Sequence, residues 1–123
     1  MKTVLVIEDN ADNMELITFI LEKNCYKTIK AETGQQGLDI ALEEKPDFII
    51  LDIQLPDMDG LDVLRKIRDS EIDDSLPVIA MTSYAMTGDR KKMEDAGCNG
   101  YIEKPIDPEK VINQIEKIVG RKS

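Results

Sequence analysis

The sequence predicts an α/β fold, a five-stranded parallel sheet with helices on both faces, on two observations. First, short unbroken apolar runs recur: Val4-Leu5-Val6-Ile7, Phe48-Ile49-Ile50-Leu51 and Val78-Ile79-Ala80-Met81, with a fourth strand signal at Gly100-Tyr101-Ile102-Glu103. Unbroken rather than alternating apolar runs mark strands covered on both faces. Second, segments with helical apolar spacing lie between the strand signals, giving the order βαβαβαβαβα, which calls for right-handed crossovers.

Each element has its own signal. Residues 13–23 carry Met14, Ile17 and Leu21 on one face, with Leu16 and Ile20 beside them. A short strand is expected over residues 26–31. Thr33-Gly34 is a turn, and Leu38, Ala41 and Leu42 mark a second helix ending before Pro46. After the third strand comes Leu55-Pro56-Asp57-Met58-Asp59-Gly60, a loop of turn formers. The third helix follows, with Leu61, Leu64 and Ile67. The fourth, over residues 86–96, is weakly apolar and has Gly97 as its stop. The last carries Val111, Ile115 and Ile118, with Ile112 and Val119 beside them. These elements fill residues 1–123 as a single domain, with no linker, internal repeat or output domain.

Composition narrows the function. The 41% hydrophobic share of these 123 residues suits one globular core. No apolar run approaches the roughly 20 residues of a membrane span. Met1-Lys2-Thr3 leads directly into the first apolar run, unlike a signal peptide, so a cytoplasmic protein is expected. Cys25 and Cys98 are far apart and form no CxxC pair, which predicts two reduced thiols. The net charge of −9 disfavours nucleic acid and anionic membranes as partners, and Arg90-Lys91-Lys92 reads as a solvated helix face. The chain has no histidine, which excludes the commonest general base and metal ligand.

The apolar runs end in residues suited to a cation and a phosphoryl group. The first runs into Glu8-Asp9, the second into Asp52, the third into Thr82, and the last strand into Lys104-Pro105. Ligands of open parallel sheets bind just beyond the carboxyl ends of the strands. Taken singly, each is an ordinary cap, turn or surface residue; delivered by four strands to one edge, they form a specific set. Crowded carboxylates repel unless a cation intervenes, and Mg²⁺ prefers oxygen ligands. Asp9 and Asp52 are the expected direct ligands, Glu8 acts through water, and the backbone carbonyl of Gln54 completes the set, with Mn²⁺ an expected substitute. Asp52 is then a nucleophile that forms an aspartyl phosphate. Lys104 neutralises one phosphoryl oxygen, and Thr82 donates its hydroxyl to another with help from the Ser83 N–H.

With Glu8-Asp9, Asp52, Thr82 and Lys104-Pro105 at these spacings, the chain resembles the receiver domain of two-component response regulators over essentially its whole length. The loop from Leu55 to Gly60 and Ala96-Gly97-Cys98 before the last strand match as well. Glu8-Asp9-Asn10, MTSYAMTGD at residues 81–89 and Lys104-Pro105-Ile106 look most like single-domain DivK-type regulators and the receivers of hybrid histidine kinases. The resemblance implies a flavodoxin-like sheet of order 2-1-3-4-5 and a cis Lys104-Pro105 peptide. It also implies phosphotransfer to Asp52 from a histidine kinase or phosphotransfer protein, slow self-dephosphorylation, and no other enzymatic activity. Tyr101 takes the place of the family's aromatic switch, coupling Thr82 to the surface of the fourth helix, fifth strand and fifth helix, where a downstream protein binds. A monomer or a weak phosphorylation-linked dimer is expected. Gln54 and Tyr84, each two residues beyond a site residue, are candidates for tuning phosphate lifetime, with Tyr84 hindering the hydrolytic water.

One alternative keeps the receiver but takes it as a domain excised from a hybrid histidine kinase, and two rivals share only parts of this pattern. A haloacid-dehalogenase-type phosphatase wants an acid where Gln54 stands. A flavodoxin-like cofactor carrier would present hydroxyls and glycines where Glu8-Asp9-Asn10-Ala11 stands.

Overall fold

The computed structural model describes residues 2–70, 75–83 and 87–120, with side chains from residue 91 onward in the last of these segments. Its elements alternate as expected: β1 (Thr3–Ile7), α1 (Ala11–Lys23), β2 (Lys27–Ala31), α2 (Gly34–Glu44), β3 (Phe48–Asp52), α3 (Gly60–Asp69), β4 (Val78–Thr82), α4 (Thr87–Asp95), β5 (Gly100–Glu103) and α5 (Val111–Val119). The five strands form one sheet of order β2-β1-β3-β4-β5, and the four pairings are all parallel. This is the order and class anticipated above.

The alternating sides of each strand feed two cores. Val4, Val6, Phe48, Ile50, Ile79, Met81 and Ile102 pack on one face with Met14, Ile17 and Leu21 of α1 and Val111 and Ile115 of α5. Leu5, Ile7, Ile49, Leu51 and Val78 pack on the other with Leu38 and Ala41 of α2 and Val63, Leu64 and Ile67 of α3. Strands β3 and β4 are therefore buried at every position, and apolar up to the Asp52 and Thr82 that end them, because both of their faces are covered.

The helix ends follow local chemistry. Asn10, Thr33 and Asp59 cap α1, α2 and α3 by accepting from backbone N–H groups with their side chains. At the far end of α4, the Gly97 N–H donates to the Glu94 carbonyl and the Cys98 N–H to the Met93 carbonyl, a Schellman closure that places Gly97 at φ +106°. α1 closes in the same way with Cys25 at φ 68°, a conformation that costs a side-chain-bearing residue. Both cysteines are free thiols. The Lys104-Pro105 peptide is cis.

Two sequence expectations change. Leu42 does not belong to the buried stripe of α2: it is 48% exposed, whereas Leu38 and Ala41 are buried. Gly34 and Gly37 take the remaining buried places, because a Cβ on Gly37 would stand 2.4 Å from Ile7 Cδ1. The helix thus lies so close to β1 that its contact face is partly backbone, and the stripe rotates away from Leu42. In addition, α4, described over Thr87–Asp95, ends one residue before the expected Ala96, and the expected start at residue 86 lies outside the described residues.

These burial differences predict that Leu38→Ala costs about 2–3 kcal/mol in urea unfolding, while Leu42→Ala changes stability by less than ~0.5 kcal/mol. Equal losses for the two variants would contradict the packing described here.

Candidate phosphoacceptor and cation site

Register assembles the site. Ile7 of β1 pairs with Leu51 of β3, Asp52 of β3 with Met81 of β4, and Thr82 of β4 with Glu103 of β5. The ends of these pairings lie together, which brings Glu8, Asp52, Thr82 and Lys104 to the same edge of the sheet. Backbone bonds fix the corners: the Glu8 N–H donates to the Ala31 carbonyl, Ile53 N–H to the Met81 carbonyl and Lys104 N–H to the Thr82 carbonyl, all at 2.9–3.1 Å.

The side chains converge in the same way. Carboxylate oxygens of Glu8, Asp9 and Asp52 lie within 4.8 Å of one another. Glu8, Asp52 and Thr82 are almost fully buried, and Asp9 is exposed. Lys104 Nζ donates to Glu8 Oε1 at 2.8 Å and sits 3.3 Å from Asp52 Oδ2. The Asp52 Oδ1 accepts from the Gln54 N–H at 3.0 Å, so both oxygens of this carboxylate are oriented.

Electrostatics make the cluster incomplete on its own. Three carboxylates face one ammonium, an excess of two negative charges if all ionise. Burial drives the Glu8 carboxyl up to about 7, the contact with Asp52 adds to the rise, and the Lys104 ammonium opposes it. Burial disfavours the Lys104 charge, yet its bonds to Glu8 and Asp52 outweigh that and hold its pKa above the ordinary value. Glu8 Oε2 is buried without a hydrogen-bond partner among the described residues. A buried unpaired carboxylate oxygen among other hard oxygen donors suits a divalent cation such as Mg²⁺. The residues therefore fit the group they were expected to hold.

Thr82 lines a cleft of about 430 Å³ between the β3–α3 loop and α4, together with Gln54, Leu55, Lys92 and Met93. Tyr101, on β5, pairs with Ala80, is half-buried, and lines a separate cleft of about 330 Å³ with Glu94, Gln114 and Lys117. Gln54 is exposed beside Asp52. Tyr84 lies outside the described residues.

Asp57 is the residue near this site that sequence reasoning passed over as a turn former. Its Oδ1 accepts from the Gly34 N–H at 2.8 Å and its Oδ2 from the Gln35 N–H at 3.1 Å. A signal was available: the first turn of α2 contains no acidic residue of its own, so an anion from elsewhere is favoured there. Gly60 closes the same loop, and a Cβ there would meet Ile53 Cα at 2.5 Å.

A doubly wound five-stranded sheet with an acidic cluster and a lysine at one edge defines a receiver, and the sequence agrees. Residues 4–116 match the response regulator receiver domain family, and the chain belongs to it. It is a signalling domain of two-component systems and resembles DivK. It is 41% identical over 119 residues to the polar-differentiation response regulator DivK of Brucella ovis, and 40% identical to that of Brucella anthropi, covering 97% of each chain in both cases. In structure it is similar to the receiver domain of a Pseudomonas aeruginosa sensor histidine kinase that has a magnesium ion coordinated in its active-site cleft. That match has a TM-score of 0.88, 31% identity, and covers 98% of each chain. It shares its fold with the Vibrio cholerae chemotaxis protein CheY4, at a TM-score of 0.91, with 96% of this chain and 98% of that one covered at 22% identity. No helix among the described residues is long and apolar enough to cross a membrane.

The raised Glu8 pKa sets a sign for stability. In metal-free protein the protonated carboxyl is the favoured native form, so its contribution is fully present below 4.5 and is lost as pH rises through about 7. A divalent cation offsets that loss only where the carboxylate is ionised. Mg²⁺ should therefore raise the melting temperature more at about pH 8 than at about pH 5, measured against EDTA controls. An equal shift at both values would contradict the arrangement.

Proposed function

We propose that this receiver accepts a phosphoryl group onto Asp52 from a phosphohistidine on a kinase or phosphotransfer protein, and that phosphorylation switches its binding to a downstream protein. The observation that carries this reading is Lys104, whose ammonium spans Glu8 and Asp52 beside a third carboxylate. An oriented buried carboxylate, a cation-binding oxygen set and a mobile positive charge are what aspartyl phosphorylation needs. The chain has no histidine, so the donor imidazole comes from another protein.

Glu8, Asp9, Asp52 and the backbone carbonyl of Gln54 would hold Mg²⁺, with Mn²⁺ as a substitute. When bound, the ion supplies charge neutralisation for the transferring phosphoryl group. An oxygen of Asp52, oriented by the Gln54 N–H, forms the new bond to phosphorus as the P–N bond to the donor breaks, and the electron pair leaves with the imidazole nitrogen. Lys104 stabilises charge on a phosphoryl oxygen, and the Thr82 hydroxyl donates to another. Water hydrolyses the aspartyl phosphate slowly, releasing inorganic phosphate and restoring the Asp52 carboxylate, and Gln54 and Tyr84 tune its rate. Thr82, buried at the end of β4, and Tyr101, half-buried on β5, carry the change to the surface made by α4, β5 and α5.

The 97% coverage of DivK supports reading residues 1–123 as one receiver in a phosphorelay. The 31% identity to a sensor-kinase receiver supports a second reading, a receiver domain of a hybrid histidine kinase. The chemistry at Asp52 is the same in both.

Acetyl phosphate with Mg²⁺ should add one phosphoryl group by intact mass. Asp52→Asn should abolish the adduct, EDTA should suppress it, and Lys104→Met should slow its formation by about a hundredfold, as for removal of one charge-stabilising donor. Undiminished labelling of Asp52→Asn would end this reading.

A further inference from the structure

We propose that Asp57 is a positioning residue for cation binding and phosphoryl transfer at Asp52, acting by tying the β3–α3 loop to the N-terminus of α2. The inference rests on reading Asp52 as the phosphoacceptor, and adds a residue that touches neither the cation nor the phosphoryl group.

The β3–α3 loop leaves Asp52 and returns to it within eight residues. Its inner part is well tied. The Gln54 N–H donates to Asp52 Oδ1, Gln54 forms a bridge with Asp59, and the Gly60 N–H donates to the Ile53 carbonyl. Asp59 in turn caps α3 by accepting from the Leu61 N–H at 2.9 Å. These bonds hold the base of the loop against α3 and leave its outer turn, Leu55 to Met58, to be fixed from outside.

Asp57 supplies that external tie. Both of its oxygens accept N–H groups from the first turn of α2, one each from Gly34 and Gln35. Those N–H groups have no intrahelical partner, so a carboxylate there gains two charge-assisted bonds and the favourable end of the helix dipole. Met58 packs beside this tie so closely that a Cβ on Gly34 would stand 2.5 Å from its Cγ. The bonds from Gly34 and Gln35 hold the Asp57 carboxyl below its ordinary pKa, keeping the anchor charged.

The tie also sorts charge. Asp52 ends β3, and Asp57 and Asp59 follow before α3, but Asp52 alone of the three joins Glu8 and Asp9 in the cation cluster. The Asp57 charge is compensated at α2 and the Asp59 carboxylate is engaged at α3. Releasing Asp57 frees the outer turn next to Gln54, whose N–H orients Asp52 and whose carbonyl is assigned to the cation.

The test uses the full chain as wild type, Asp57→Ala and Asp57→Asn, at a temperature where circular dichroism shows all three folded. Mg²⁺ affinity is measured by calorimetry, and phosphorylation by acetyl phosphate is followed by intact mass. Asp57→Ala should bind Mg²⁺ roughly fivefold more weakly and be phosphorylated more slowly by a similar factor, short of the tenfold or greater cost of a residue bonded directly to a ligand. Asp57→Asn keeps one acceptor oxygen and should fall between the other two. If Asp57→Ala melts at a lower temperature while its Mg²⁺ affinity and phosphorylation rate equal those of wild type, Asp57 is only a helix cap and the proposal is overturned. A wild type that neither binds Mg²⁺ nor gains the adduct overturns the phosphoacceptor reading itself, and this proposal with it.

Discussion

The parallel register of β1, β3, β4 and β5 is the constraint on which the site depends. Asp52 opposes Met81 and Thr82 opposes Glu103, so Asp52, Thr82 and the Lys104 that follows Glu103 arrive at the same edge. A slip of one residue would move every side chain of a strand to the other face. It would bury the wrong set against α1 and α5 and also scatter the carboxylates. The two apolar cores that stabilise the sheet therefore also fix the distances between Glu8, Asp52 and Lys104.

That coupling has an electrostatic cost. Burial of Glu8 and Asp52 against one another is unfavourable, and Lys104 offsets it only in part. The remaining imbalance is what a divalent cation and then a phosphoryl group can exploit. A site already satisfied by internal ion pairs would have little differential affinity for either, and without differential affinity no population shift follows. The domain holds the Asp52 carboxylate in place with backbone bonds from Gln54 and the strand corners, so orientation survives even though the charges are unbalanced.

Much of this was legible in the residues. Unbroken apolar runs ending in Glu8-Asp9, Asp52 and Thr82 follow from strands covered on both faces, and that pattern is local. The helix boundaries near Thr33, Asp59 and Gly97 were legible too, because caps and stops are chemistry of a few adjacent residues. What failed depended on distant partners. Leu42 fits a helical stripe, yet Gly37 lets α2 approach Ile7 so closely that the buried face turns away from it. Asp57 reads as a turn former among turn formers, and its bonds to Gly34 and Gln35 reach across more than twenty residues of sequence.

The sequence by itself determined the class of fold, the strands and helices, and which residue types stand at the strand ends, since hydrophobic period and capping are properties of neighbouring residues. Tertiary structure decided which of those residues meet. It put the Lys104 ammonium between Glu8 and Asp52, left Glu8 Oε2 buried and unpaired among the described residues, and sent the Asp57 carboxylate to α2 rather than to the cation cluster. These outcomes depend on strand register and on the few ångströms separating packed helices, and no local pattern of residues encodes either.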